Sequence, residues 1–564
     1  MSQGFARAVF LFTLLFFAAF FLWPIVQILK GGFIDADGRL TFAYLGTLVT
    51  DPIYLGGLAN SFLLAVTTTV IALALALPLA LVADRAQFPG KALLGSFILV
   101  PMILPPFVGA IGIKQILGQY GALNSLVIAL GLRPAGWTFD WLGANQFLGI
   151  ALVNAFSLYP IIYLNAVAAL ANIDPAMEEA AENLGCTGFR KFFKITLPLI
   201  KSGLFAGDTI VFIWAFTDLG VALIFDYGRV ASVQIFYGLK DLGGNPFPYA
   251  LVAVMLTASV LFYALGKGLF GRDAYAMMAK ATSGGGPRAL SPLRGWLCTA
   301  LFAGITFVAI LPHLGVVLVA CSSDWYGTVL PRDFHLHNFE IALGHDLTVP
   351  AIANSLKYAS IATVVDLILG VALAYVIVRS KVAGRQVLDF LAMLPLAVPG
   401  LVLAFGYLAM SQDGKFFSFL NPVTNPTILL VIAYSVRRLP YVVRSAAAGF
   451  QQTSETLEEA AQNLGCPPLK AVIKITLPLI AANLIAGGLL AFAFAMLEVS
   501  DSLVLAQKQV YYPITKAIYE LFQLLGDGKY LASALGVWAM AFLGVIIAGM
   551  TVLLGKKLGA IFRV

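Results

Sequence analysis

The chain has 564 residues, of which 60% are apolar and 11% are charged, and its formal net charge is +7. A soluble globular protein carries about 25% charged residues, so this composition excludes a water-exposed fold and indicates a membrane protein. The excess of Lys and Arg is therefore interpreted by the loops that hold it, and not as a nucleic-acid-binding surface.

Twelve apolar segments follow one another along the chain, each long enough to cross a hydrocarbon core of roughly 30 Å as a helix. They lack the alternation of polar and apolar residues that membrane strands show, so we predict an all-α polytopic membrane protein. The first segment has no convincing small-residue cleavage site, which favours a retained helix over a cleaved signal peptide. The predicted spans cover residues 6–29, 60–83, 93–117, 147–170, 204–225, 248–268, 297–320, 354–378, 388–410, 428–450, 482–505 and 532–555.

The positions of Lys and Arg predict the orientation of the chain. If the N-terminus is cytoplasmic, one set of loops and the C-terminal tail share that side, and this set holds more basic residues than the opposite one. The positive-inside bias therefore predicts that both termini are cytoplasmic. The loops on that side are 84–92, 171–203, 269–296, 379–387 and 451–481.

The second half of the chain repeats the first. The segment that begins at Ala59 matches the one that begins at Ala353, and Pro160 falls on Pro440. The match is strongest between residues 178–200 and 458–480, which are identical at 15 of 23 positions. Because each repeat holds an even number of spans, the two halves are predicted to be parallel repeats. We predict a six-helix unit at 1–270, a cytoplasmic linker rich in Gly, Ser and Pro at 271–295, and a second six-helix unit at 296–564.

The most similar part of the repeat is a polar loop, which lipid does not contact. In each copy a predicted helix with the sequence Glu-Glu-Ala-Ala is followed by Gly185 or Gly465, a residue suited to a sharp turn with positive φ. A second, basic helix then leads to Leu-Pro and the next span. Small alanines let another surface approach closely and the glutamate offers a charged contact, so we predict a docking element. An amphipathic segment that lies on the bilayer is the alternative.

Both loops resemble the cytoplasmic signature of the permeases of binding-protein-dependent ABC importers, which reads E-A-A-x3-G-x9-I-x-L-P. Each copy fits it without a gap, and the resemblance covers essentially the whole chain. It implies a type I ABC importer permease fold, in which each loop forms a coupling helix that sits in a groove of one ATPase subunit. The residues that fit the signature are Glu179, Ala180, Ala181, Gly185, Ile195, Leu197 and Pro198, and Glu459, Ala460, Ala461, Gly465, Ile475, Leu477 and Pro478.

The resemblance also implies partners. It describes a subunit of the bacterial cytoplasmic membrane that works with two cytoplasmic ABC ATPase subunits and with a periplasmic or extracellular solute-binding protein. The chain contains no G-x-x-x-x-G-K-[ST] sequence, so ATP and Mg are expected on the ATPase subunits and no cofactor is expected on this chain. ATP and the loaded binding protein would bias the bundle between inward-open and outward-open states.

The cargo is less well defined than the role. Fusion of two permease units into one chain resembles the ferric-iron branch of the family, which also contains thiamine and 2-aminoethylphosphonate transporters. Ferric iron is the leading choice, and a small organic solute is the alternative. A secondary transporter driven by an ion gradient would also show parallel repeats, but it would lack the two docking loops. A membrane-embedded enzyme is a third possibility, yet no nucleophile-base set or metal-ligand cluster recurs.

Acidic residues inside the predicted spans are candidates for the substrate path, because a charge in hydrocarbon is costly. Asp218 and Glu498 occupy equivalent positions within the fifth helix of each half, and Asp501 is a further candidate. Paired acids on one path would favour a cation or a protonated ligand; bonds to neighbouring helices or a place near the outer interface are the alternative. We place Arg437 and Arg438 where the tenth helix emerges towards the cytoplasm, in preference to an anion path.

No metal or redox site is predicted on the chain itself. His335, His337 and His345 lie in the outer loop between the seventh and eighth spans, and their irregular spacing favours solvated loop residues over metal ligands. The four cysteines form neither a C-x-x-C pair nor a cluster with histidine. They are Cys186, Cys298, Cys321 and Cys466.

Overall fold

The computed structural model describes residues 3–35, 37–102, 105–143, 146–239, 245–270 and 288–554. The fold is helical, as predicted. Most of the predicted linker lies outside the described residues, and its last residues, from Pro292 onward, already form the start of a helix.

Fourteen helices lie in the described part of the first half. They are α1 Gln3–Phe17, α2 Trp23–Phe33, α3 Ala43–Thr50, α4 Pro52–Arg85, α5 Lys91–Phe97, α6 Pro106–Leu117, α7 Ala122–Ala129, α8 Phe147–Leu170, α9 Pro175–Asn183, α10 Gly188–Lys191, α11 Leu197–Phe216, α12 Gly220–Ile224, α13 Ala231–Gly238 and α14 Phe247–Phe270.

The described part of the second half has a similar succession. Its helices are α15 Pro292–Ala320, α16 His337–Gly344, α17 Thr348–Arg379, α18 Arg385–Met393, α19 Gly400–Met410, α20 Thr427–Gln452, α21 Thr456–Asn463, α22 Pro468–Ala471, α23 Leu477–Leu479, α24 Ala481–Met496, α25 Ser500–Leu505, α26 Ile514–Phe522 and α27 Gly528–Leu554.

The remaining elements are short. Three π-helical turns cover Ala18–Leu22, Phe192–Thr196 and Val472–Thr476. Among the described residues, 3₁₀ turns cover Val100–Met102, Leu394–Leu396, Ser418–Leu420 and Gln509–Tyr511. Two strands of two residues, β1 Ala86–Gln87 and β2 Arg288–Ala289, pair in parallel, with Ala86 opposite Arg288.

Eight described helices are long and apolar enough to cross a membrane, and three bent helix pairs raise the number to eleven if each pair is one span. The one predicted span outside these eleven is the tenth, 428–450, which corresponds to α20. This helix has 26 residues, long enough to span, but it carries Arg437, Arg438 and Arg444.

Two pairs of predicted continuous spans are broken. In the ninth span, α18 with its 3₁₀ turn meets α19 at an angle of 102°, and the third span bends by 100° at the equivalent place. Pro395 and Pro399 flank the bend of the ninth span. Because proline lacks the amide that a continuous helix needs, the helix is interrupted there. The fifth and eleventh spans were also predicted to be continuous helices, and this prediction was wrong. Their helices end at Phe216 and Met496 and resume at Gly220 and Ser500.

Each half has the same three-helix centre. In the first half α4, α8 and α11 pack on one another, and in the second half α17, α20 and α24 do so. The similarity of these contacts matches the internal repeat of the sequence.

The first helix of each half packs against the other half. Helix α2 lies against α19, and α15 lies against α6. Both contacts depend on glycine, because a β-carbon on Gly406 would be 2.8 Å from Cβ of Pro24, and one on Gly112 would overlap the carbonyl of Pro312. Gly112 and Gly406 are equivalent in the repeat. The first helix of each half therefore packs against the other half at an equivalent glycine.

Candidate functional site

The two signature loops turn in the same way at their equivalent glycines, Gly185 and Gly465. Helix α9 ends before Gly185, whose φ is +78°, and α21 ends before Gly465, whose φ is +87°. Such values favour glycine, because a β-carbon is strained there. The turn predicted from these two glycines is confirmed.

Main-chain hydrogen bonds close each turn. In the first loop, N of Gly185 donates to O of Glu182 at 2.9 Å and N of Cys186 donates to O of Ala181 at 2.9 Å. The second loop repeats both bonds at Gly465 and Cys466. This is the Schellman pattern, which satisfies the last carbonyls of the helix and fixes the direction of the chain that follows.

The first glutamate of each Glu-Glu pair holds the loop to the helix that re-enters the bundle. Thr196 Oγ1 donates to Oε1 of Glu178 at 2.6 Å, and Thr476 Oγ1 donates to Oε1 of Glu458 at 2.7 Å. Arg85, at the end of α4, also pairs with Glu178. The sequence analysis missed Glu178 and Glu458. Their recurrence at the same offset as the signature was the signal that would have identified them.

The Glu-Ala-Ala residues of each signature are partly exposed to solvent. Glu179, Ala180, Glu459 and Ala460 are exposed, Ala461 is half-buried, and Ala181 is buried. The residue before each glycine was not singled out from the sequence, yet Leu184 is 88% exposed and Leu464 is 90% exposed. The repeat thus places an almost fully exposed apolar side chain at the same position of both polar loops.

A cavity of about 190 Å³ lies between the two halves. Its walls come from equivalent parts of the repeat: the bends of the third and ninth spans, the breaks of the fifth and eleventh, and helices α8 and α20. Polar and charged side chains from both halves line it, among them Asn154, Asp218, Arg437, Arg438, Tyr441 and Glu498.

Asp218 and Glu498 occupy equivalent breaks, not helix interiors as predicted. Each lies between the end of one short helix and the start of the next. Their carbonyls are held alike, since Ser232 Oγ donates to O of Asp218 at 2.6 Å and Thr515 Oγ1 donates to O of Glu498 at 2.7 Å. The structure therefore brings both predicted acids to the same cavity.

The favoured placement of Arg437 and Arg438 was wrong. Both guanidinium groups line the cavity, with 14% and 7% of the side chains exposed. Arg437 Nη1 lies 2.5 Å from Oε1 of Glu498, and Arg438 pairs with Oε2 of the same carboxylate. The tenth helix thus carries its charge into the bundle, where a buried acid compensates it.

Asp501 is fully buried behind this group. Its Oδ2 lies 3.4 Å from Nη1 of Arg437, but it is not part of the cavity wall. His335, His337 and His345 are not part of the cavity wall, and the ring of His337 lies 3.2 Å from Oε2 of Glu340. Among the described residues, no group of three or more His, Cys, Asp or Glu side chains is placed to hold a metal ion.

A family profile described as the binding-protein-dependent transport system inner membrane component matches residues 76–273 and again residues 366–558. The chain belongs to this family of importer permeases. The double match coincides with the two halves of the fold and with the repeat read from the sequence.

Curated relatives extend over most of the permease. A ferric transport system permease protein of Actinobacillus pleuropneumoniae is 27% identical over 89% of this chain and 72% of its own length. A putative ferric transport system permease protein of Haemophilus influenzae is 27% identical over 88% of this chain and 77% of its own length. A thiamine transport system permease protein of Escherichia coli is 25% identical over 71% of each chain.

The permease is thus the membrane-spanning subunit of an ABC importer, with no ATPase site of its own. Partner subunits hydrolyse the ATP. A gradient-driven secondary transporter and a membrane-embedded enzyme, the two rival classes, do not belong to this family.

Proposed function

We propose that this permease imports ferric iron, and that it receives the motion of two ATPase subunits through the loops around Gly185 and Gly465. The solute-binding protein would deliver the ion at the opposite face. The observation that carries the coupling role is the matched pair of exposed leucines, each presented by a rigid turn.

The coupling role follows from how each loop is built. The Schellman turn fixes its outer tip, and the bond from Thr196 or Thr476 to a glutamate fixes its base. A force applied at Leu184 or Leu464 would then reach the re-entering helix with little loss in the loop. Glu179, Ala180, Ala181 and Gly185 would serve the first ATPase subunit, and Glu459, Ala460, Ala461 and Gly465 the second.

The proposed cargo rests on relatives and on cavity chemistry. Two relatives are ferric transport permeases that align with most of the chain. The cavity between the halves is lined by the carboxylates of Asp218 and Glu498, and carboxylate oxygens suit hard cations. We propose that both lie on the substrate path, with Asp501 behind them.

Thiamine is the second candidate. The thiamine permease of Escherichia coli is also a relative, and the aromatic rings of Trp214 and Phe494 line the cavity at equivalent positions. Two such rings favour an organic cation that stacks between them.

The topology completes the proposal. We place both termini in the cytoplasm, with two cytoplasmic ATPase subunits that bind ATP and Mg, and with surrounding membrane lipid. The units are 1–270 and 296–564, and the linker 271–295 joins them on the cytoplasmic side. No nucleic acid takes part.

The cargo is tested by uptake into proteoliposomes that contain the permease, its ATPase subunits and internal ATP, with the loaded binding protein outside. We expect uptake of ⁵⁵Fe(III) that requires both ATP and binding protein, and no uptake of labelled thiamine. Thiamine uptake without iron uptake would replace iron by the second candidate. Transport of either cargo without ATP would contradict the importer mechanism.

A further inference from the structure

The charges at the cavity are unequally divided between the halves. The second half contributes two guanidinium groups and two carboxylates, from Arg437, Arg438, Glu498 and Asp501, which together are neutral. At the positions of the two arginines the first half has Ser157 and Leu158, so its own acid, Asp218, has no arginine beside it.

Two polar atoms of the first half are left without a hydrogen-bond partner among the described residues. They are Oδ2 of Asp218 and Nδ2 of Asn154, both buried and both on side chains that line the cavity. Asn154 is 1% exposed. Buried polar groups are nearly always satisfied. Oδ2 of Asp218 is an acceptor that can bind a cation, whereas Nδ2 of Asn154 is a donor that cannot, so Asp218 marks the place where a cation would gain a contact.

The breaks that carry the two acids touch each other. A β-carbon on Gly220 would be 3.2 Å from Cγ1 of Val499, and these residues lie two positions after Asp218 and one position after Glu498. The carboxylate of Asp218, which no arginine pairs, and the paired carboxylate of Glu498 therefore border the same small space.

We propose that Asp218 and Glu498 form a site for a hard multivalent cation, and that Glu498 joins this site when Arg437 transfers to Asp501. The identification of this cation with the cargo rests on the proposed function; the site itself does not.

The transfer needs only a short movement. Arg437 Nη1 already lies between the two acids, 2.5 Å from Glu498 and 3.4 Å from Asp501, and Oδ1 of Asp501 has no partner among the described residues. Arg438 remains on Glu498 and on the carbonyl of Phe494 at 3.1 Å, which keeps the carboxylate oriented. Both guanidinium groups therefore keep a carboxylate partner at either end of the movement.

The exchange also sets selectivity. Coulomb attraction scales with the product of the charges, so a divalent or trivalent ion attracts Glu498 more strongly than one guanidinium does, whereas a monovalent ion does not. The site would therefore stay closed to sodium and potassium and open to multivalent cations.

The test uses the purified full-length permease in lipid nanodiscs and terbium(III) as a hard trivalent probe. Trp214 lines the cavity, so terbium bound there should emit when tryptophan is excited. We expect saturable emission that gallium(III) displaces and sodium does not, and that Trp214→Phe largely removes. Asp218→Asn should weaken terbium binding at least tenfold, while Asp346→Asn, the same change at an exposed acid, should not.

Asp501→Asn tests the exchange itself. Without the second acceptor Arg437 stays on Glu498, and terbium binding should weaken although residue 501 does not line the cavity. Glu498→Gln removes the partner of two buried guanidinium groups and can unfold the bundle, so terbium binding is compared in the two aspartate variants instead.

Unchanged terbium binding in Asp218→Asn, or in Asp501→Asn, would overturn the proposal. Iron uptake in proteoliposomes without cavity binding of terbium would also overturn it and leave the proposed function intact. Terbium binding that needs Asp218 and Asp501, in a permease that transports no iron, would support the site and contradict iron as the cargo.

Discussion

The guanidinium group of Arg437 lies directly against the α-carbon of Gly400, and a β-carbon at position 400 would overlap it. The equivalent residues of the first half are Ser157 and Pro106. The first half thus has a small polar side chain, Ser157, where its partner position is Pro106, and the second half has Arg437 where its partner position is Gly400. The pair explains how one copy of the repeat accommodates a charge that the other copy lacks.

Gly400→Ala should therefore move Arg437 away from Glu498. Overpacking of a tight site costs about 1–3 kcal/mol, so we expect a lower unfolding temperature and slower ATP-driven uptake. Thermal unfolding of the purified permease measures the first effect. Gly304→Ala is the matched control, since nothing lies within 4 Å of a β-carbon there. Equal unfolding temperatures for both variants would show that the Arg437 side chain can shift without loss of stability.

Leu184→Ser and Leu464→Ser should each weaken the association with an ATPase subunit. Burial of a leucine side chain contributes about 1.5–3 kcal/mol, which corresponds to roughly 10- to 150-fold in affinity. Titration of the ATPase subunit against the permease in nanodiscs measures the change. Leu132→Ser, at an exposed leucine outside the signature loops, is the control. The docking interpretation fails if the loop variants bind as tightly as this control.

Thr196→Val and Thr476→Val should loosen the bases of the loops. Each removes a hydrogen bond to a glutamate, and a bond to a charged group contributes about 1.5–3 kcal/mol. Amide hydrogen exchange in α9 and α21 should accelerate, while the turns at Gly185 and Gly465 remain. Thr187→Val is the control, because this hydroxyl caps no helix. Unaltered exchange in both helices would mean that the glutamates do not anchor the loops.

Gly112→Leu should separate the first helix of the second half from the first half. The side chain would collide with the main chain around Pro312, so we expect a clear loss of thermal stability in the purified chain. Gly544→Leu, in a helix where a β-carbon meets nothing within 4 Å, should cost much less. If both changes were equally mild, the close contact at Gly112 would not hold the halves together.

Much of the fold was predictable because apolar length and internal repetition are visible in the chain itself. The spans, the two halves and the turns at Gly185 and Gly465 all follow from local sequence. The bends at Pro105 and Pro399 were less visible, since proline also occurs inside continuous helices of this chain, at Pro160 and Pro440.

The cavity was only partly predictable. Equivalence in the repeat placed Asp218 and Glu498 together, but no local signal placed Arg437 and Arg438 beside them. An arginine within a helix does not by itself show whether it lies inside the bundle or at its edge; its partner decides this. That partner, Glu498, lies about 60 residues away in the chain. The anchoring role of Glu178 and Glu458 likewise depends on threonines 18 positions later.

The most direct test of the coupling mechanism is the double variant Gly185→Pro, Gly465→Pro in proteoliposomes with ATPase subunits, internal ATP and loaded binding protein. Proline holds φ near −65° and cannot adopt the positive φ of either turn, so both loops must lose their shape while the spans persist. We expect the variant to remain in the membrane and ATP-driven uptake to be abolished. Undiminished ATP-driven uptake by this variant would contradict it.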